Sequence, residues 1–64
     1  MIRFNGVEES FVEQSVDELL TRHDIEVRGI AVAIDGEVVR RSEWATTLIP
    51  DGAQIEVVTA VAGG

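Results

Sequence analysis

Hydrophobic and polar positions alternate from the first residues. In Met1-Ile2-Arg3-Phe4 the apolar Ile2 and Phe4 fall on one face, which predicts a half-buried strand. Asn5-Gly6 follows, a strong two-residue hairpin signal. Residues 7 to 12 then read as a returning strand, less regular and carrying Glu8 and Glu9.

The period changes at Ser15-Val16-Asp17-Glu18, a capping box. The Ser15 hydroxyl accepts from the Glu18 backbone N–H, and the Glu18 carboxylate reaches back to the Ser15 N–H. Acidic residues in this first turn also suit the helix dipole. Val16, Leu19, Leu20 and His23 keep the i, i+3, i+4, i+7 spacing of one helix face, so the helix is expected to run to about His23. His23 has no partner histidine or cysteine and is expected at the surface of the helix end. Asp17, Glu18 and Asp24 read as a solvated face without metal-ligand spacing.

After Arg28-Gly29, the run Ile30-Ala31-Val32-Ala33-Ile34 alternates large and small. The large set should face the helix, leaving Ala31 and Ala33 on a smooth opposite face. Asp35-Gly36 is a second tight-turn signal, and Glu37-Val38-Val39 returns as its partner strand. Arg40-Arg41-Ser42-Glu43-Trp44 reads as a short helical turn begun by Ser42. Trp44 is expected to fold under the sheet as a satellite of the core, with interface anchoring as the alternative. Leu48-Ile49 precedes the Pro50-Asp51-Gly52 turn. Gln54 to Thr59 is the last strand, with Ile55 and Val57 on its apolar face.

Two hairpins therefore flank one helix. The last strand can bury Ile55 and Val57 only by lying beside the first, parallel, in the middle of the sheet. That is an α+β, β-grasp (ubiquitin-like) roll: a mixed four- to five-stranded sheet with one main helix on one face. The other face would present Ala31, Ala33, Val58 and Ala60, a smooth strip suited to docking. Arg41 and Trp44 are further candidates for a partner-docking face.

Composition narrows the function. Sixty-four residues make one small domain that buries only about 60% of its unfolded surface. The expected division is a body at residues 1–59 and a flexible tail at residues 60–64. No cysteine means no disulfide, no thiolate nucleophile and no Cys-based metal site. The net charge of −7 disfavours nucleic acid and suits a basic protein partner. No apolar run is long enough for a membrane span, so no membrane association and a cytoplasmic location are expected. All five cationic side chains are arginines (Arg3, Arg22, Arg28, Arg40, Arg41), so the chain offers no lysine for isopeptide attachment. No nucleophile–base pair or metal-ligand cluster marks a conventional enzyme.

The chemistry concentrates at Thr59-Ala60-Val61-Ala62-Gly63-Gly64. A Gly64 carboxylate has no side chain to crowd attack at its carbonyl, and Gly63 also lacks a Cβ, so both can thread a narrow cleft. Extended, residues 60–64 span roughly 17 Å. A carboxylate is a poor electrophile until a partner converts it to an acyl-adenylate or thioester.

A ubiquitin-like roll ending in Gly-Gly resembles the carriers and modifiers whose C-termini are adenylated. Within that group the chain resembles the ThiS family, the sulfur carriers of thiamine biosynthesis, along its whole length. The resemblance rests on Asn5-Gly6, Ser15-Val16-Asp17-Glu18-Leu19-Leu20 and Ala31-Val32-Ala33-Ile34-Asp35-Gly36-Glu37-Val38-Val39. Arg41-Ser42-Glu43-Trp44 and the ending Asp51-Gly52, Ile55-Glu56-Val57-Val58 and Ala60-Val61-Ala62-Gly63-Gly64 are its specific parts. Many relatives have proline in place of Arg40 and an acidic residue in place of Ala53.

The resemblance implies a protein cosubstrate that is not itself an enzyme and binds no cofactor. A ThiF-like activating enzyme would spend Mg-ATP to adenylate Gly64. A persulfide donor such as a cysteine desulfurase would supply sulfur, giving a C-terminal thiocarboxylate. Thiazole synthase (ThiG-like) would then take that sulfur. Gly63, Ala62, Val61 and Ala60 would be the recognised tail. The related small subunit of molybdopterin synthase, a ubiquitin-like modifier and a plain interaction domain are the alternatives; the first is usually longer.

Overall fold

The structure, a computed structural model, describes residues 1–59. Strand β1 (Ile2–Phe4) turns through Asn5-Gly6 into β2 (Val7–Glu9). Helix α1 (Val16–Arg22) follows, then the hairpin β3 (Ile30–Ile34) and β4 (Glu37–Val39). A 3₁₀ turn (Arg41–Glu43) and a long loop lead to β5 (Gln54–Thr59). The five strands form one mixed sheet in the order β2-β1-β5-β3-β4. β5 lies at the centre, parallel to β1 and antiparallel to β3. This is the β-grasp arrangement expected from the strand pattern. The second strand stops at Glu9, shorter than the run of residues 7 to 12 suggested.

Both hairpin turns place two consecutive residues at positive φ: Asn5 at 50° and Gly6 at 84°, Asp35 at 51° and Gly36 at 87°. This twist matches that of the flanking strands. Each first turn residue also reaches β5. Asn5 Oδ1 accepts from the Val57 N–H at 2.8 Å, and Asp35 Oδ1 accepts from the Gln54 N–H at 3.0 Å. The two turn side chains therefore tie the central strand to a hairpin on either side. β1 ends at Phe4, so the Asn5 amide takes over where its backbone ladder stops.

Helix α1 begins with both bonds of the capping box: Glu18 N to Ser15 Oγ at 3.1 Å and Ser15 N to Glu18 Oε1 at 2.8 Å. It ends in a Schellman arrangement, with Ile25 N to Leu20 O and Asp24 N to Thr21 O, both at 3.0 Å. Asp24 takes the left-handed position usual for glycine, at φ 56°. Seven residues are too few for an isolated helix, so packing holds it. Val16, Leu19 and Leu20 are buried completely against Ile2, Phe4, Val32, Ile55, Ile49, Ala53 and Trp44.

His23 departs from the surface position expected of it. Its ring stacks on Phe4 with centroids 4.4 Å apart, and its Nε2 lies 2.7 Å from Glu9 Oε1. Arg22 Nη2 donates to the other Glu9 oxygen at 2.6 Å, and Arg22 Nε donates to Gln14 Oε1 at 3.2 Å. The cluster clasps β2 to the end of α1. The Arg22 guanidinium, with His23 beside it, holds the Glu9 carboxyl below its ordinary value of 4.5, against the opposing effect of partial burial.

Two outcomes follow from these contacts. A carboxyl depressed on folding stabilises the fold above its unfolded value, and this contribution is lost as pH falls through the folded value. Stability measured by urea unfolding should therefore decline below pH 4.5 in the native chain. Glu9→Gln should cost about 1 kcal/mol near neutral pH and flatten that acid decline; an unchanged acid profile would count against the clasp. Asn5→Ala should cost about 2 kcal/mol, from the left-handed backbone and the unpaired Val57 N–H. Asn5→Asp keeps an acceptor and tolerates positive φ, so it should stay near native stability. Hydrogen exchange at the Val57 amide should speed up in the alanine variant alone.

Candidate functional site

The central strand fixes where the chain heads. Early in β5, Arg3 pairs with Gln54 and Phe4 with Ile55, so both edges of the strand are laddered. From Val57 onward β1 has turned away. Val58 and Thr59 are held by β3 alone, opposite Ala31 and Ile30. The sheet therefore delivers the chain from its centre along an edge open on one side. Gly64 and Gly63, with Ala62, Val61 and Ala60, lie outside the described residues, as does the expected division between body and tail.

Beside this exit, on the sheet face opposite α1, is a shallow hollow of about 210 Å³. Ala31 and Ala33 form its floor. Val58 and Val38, both largely exposed, stand at its sides with Glu56. The alternation explains it. Val32 turns inward to complete burial, so its neighbours Ala31 and Ala33 turn outward, and small side chains leave the depression. Val38 stands across from Ala33 and Val58 across from Ala31. Val38 and Glu56 were not anticipated. Their signal lay in the register: with Val39 packing inward, Val38 had to face out. Farther along the same face, Arg3 and Glu8 pair at 3.4 Å across β1 and β2.

The structure does not bring Arg41 and Trp44 to this face. Trp44 is 4% exposed and packs with the helix residues; its Nε1 donates to Val39 O at 3.0 Å. The Asp17 N–H is bound to its carbonyl at 3.1 Å. Arg41 lies over the Trp44 ring, 5.4 Å from its centroid, and donates to Val27 O at 3.2 Å. Both residues border a hollow of about 250 Å³ on the helix side with Asp17, Val27 and Ala45. The physical reason is that the core cluster takes up the indole while its N–H is satisfied by the Val39 carbonyl, and the Trp44 ring then holds Arg41 on the same side. The docking candidates thus reduce to Ala31, Ala33 and Val58, joined by Val38 and Glu56.

Among the described residues, no group of three or more His, Asp or Glu side chains could hold a metal ion. No described helix is long and apolar enough to cross a membrane. What the described residues offer is a shallow, mainly apolar hollow beside the last residues of β5.

Known proteins share this fold. The crystal structure of the thiamine biosynthesis protein ThiS from Geobacter metallireducens matches with a TM-score of 0.86 at 25% identity, covering 98% of this chain and 97% of that one. An NMR solution structure of a thiamine biosynthesis protein from the same organism matches at 0.72, also at 25% identity, over 98% of this chain and 86% of that one. The sulfur carrier protein ThiS of Escherichia coli (strain K12) is 41% identical over 51 residues, 80% of this chain and 77% of that protein. The ThiS family model matches residues 2–64. With a match that runs from the first strand through Gly63-Gly64, the chain belongs to the ThiS family.

Proposed function

We infer that this chain is a sulfur carrier of thiamine biosynthesis and that Gly64 carries the sulfur. The observation that supports this best is the family match, which includes the two glycines. The chain serves as a protein cosubstrate and supplies no general acid, base or metal ligand of its own.

In this reading the Gly64 carboxylate attacks the α-phosphorus of Mg-ATP bound by a ThiF-like enzyme. An acyl-adenylate forms and pyrophosphate leaves. The terminal sulfur of a persulfide, delivered by a cysteine desulfurase or a similar donor, then attacks the acyl carbon and expels AMP. Cleavage of the sulfur–sulfur bond by a thiol leaves the thiocarboxylate. Thiazole synthase takes this sulfur. Adenylation removes the resonance that protects a carboxylate, and the thiocarboxylate keeps a soft nucleophile attached to its carrier.

The body contributes position. Residues 60–64 act as the segment that enters a partner's cleft. Ala60, Val61, Ala62 and Gly63 are the recognised tail, and the missing Cβ of Gly63 lets its end thread the cleft. The hollow of Ala31, Ala33 and Val58 docks the partner that receives the tail, close to where β5 delivers it. The setting is the cytoplasm, where ATP and persulfide donors are found together.

The test is intact-protein mass spectrometry after incubation with Mg-ATP, a ThiF-type enzyme and a persulfide donor. Replacement of one oxygen by sulfur, mapped to the C-terminal peptide, is expected. An unchanged mass with an enzyme active on another carrier would overturn the reading. Gly64→Leu should slow adenylation at least about 100-fold by disturbing attack geometry, while its thermal midpoint stays native. Full sulfur loading of that variant would argue against Gly64 as the attachment point.

A further inference from the structure

A second exposed surface lies at the β4 edge and shares only Val38 with the hollow beside β5. β4 is the outermost strand of the sheet. Ala31 and Ala33 face their backbone groups toward β5, so Val32 and Ile34 bond toward β4, to Val39 and Glu37. The register therefore turns the N–H and C=O of Val38 outward. Neither group has a hydrogen-bond partner among the described residues.

Against this edge runs a groove of about 370 Å³. Val38 is 72% exposed and Leu48 60%, and both border it. Three carboxylates, Asp35, Glu37 and Glu43, line it, and no arginine does. Glu37 and Glu43 have no cation within 4.0 Å among the described residues, unlike Glu8, Glu9 and Glu26. The groove thus combines unpaired strand edge, exposed aliphatic side chains and uncompensated negative charge.

We propose that the β4 edge binds an extended segment of a protein partner, with an apolar centre flanked by Lys or Arg, by strand addition at Val38. The partner backbone bonds the outward N–H and C=O of Val38. Its alternating apolar side chains rest against Leu48 on the helix side and Val38 on the other face, and its cations face Glu37, Glu43 and Asp35. Charge decides the occupant. A second copy of this chain pairing edge to edge would bring two sets of these carboxylates together, on molecules each carrying −7. A basic segment turns the same charge into attraction and faster encounter. Strand addition of this kind uses backbone bonds for affinity and side chains for selection. The proposal is independent of the chemistry at Gly64, because it leaves the end of β5 free.

The test is NMR titration of the full ¹⁵N-labelled chain with a capped Lys-Arg-Val-Ile-Val-Arg-Lys peptide. A control peptide keeps the apolar centre between aspartates. Shifts are expected at Glu37, Val38, Val39, Glu43 and Leu48, weakening with salt. The doubly substituted E37K/E43K chain should bind about tenfold or more weakly, the loss of roughly 1.4 kcal/mol of charge attraction. Both positions are exposed, and a native spectrum elsewhere would confirm that the variant folds. The proposal falls if no shifts appear up to about 1 mM peptide, the range where only about 4 kcal/mol of binding is needed. It also falls if the acidic peptide binds equally, if shifts gather on Ala31, Ala33 and Val58, or if the chain self-associates through β4 without peptide.

Discussion

Everything in this fold depends on β5 lying between β1 and β3. Its Ile55 is completely buried and touches the helix layer, while its two edges bond a parallel strand on one side and an antiparallel one on the other. Parallel pairing of the first and last strands requires a long crossover, and α1 with the second hairpin forms it. Removing β5 would leave two separate hairpins, neither of which is stable alone. The segment that closes the fold is also the one that delivers residues 60–64. Stability and presentation are therefore set by the same backbone ladder, with Asn5 and Asp35 fastening it from both sides.

Much of this was legible because the period of each segment was clean. The capping box at Ser15 and Glu18 predicted both of its bonds, and the Ile30 to Ile34 alternation separated the core face from the smooth face. Legibility failed where a residue's partner was distant in sequence. His23 looked like an exposed helix end because nothing nearby could hold it; Phe4 and Glu9, which do, arrive from the first hairpin. Asn5 read as a turn residue, and its bond to Val57 spans nearly the whole chain. Trp44 was ambiguous for the same reason. A lone indole can anchor an interface or fill a core, and only the helix and strand residues that the fold packs against it decide for the core. Ala53 is similar: at 2% exposed it packs inside, and small size suits that place.

The body is also chemically quiet. It contains no cysteine and no lysine, and apart from His23 its basic side chains are arginines. Their contacts use the guanidinium fork. Arg22 spans Glu9 and Gln14 through different nitrogens, and Arg41 lies on an indole while donating to a carbonyl. A compact ammonium does neither as well. A guanidinium also stays protonated, so it offsets a strongly acidic surface without offering a nucleophile. If Gly64 is activated as proposed, no side-chain amine or thiol of the carrier competes with the incoming sulfur. Pinning the helix end with arginine rather than lysine would thus leave no side-chain amine to attack the acyl carbon.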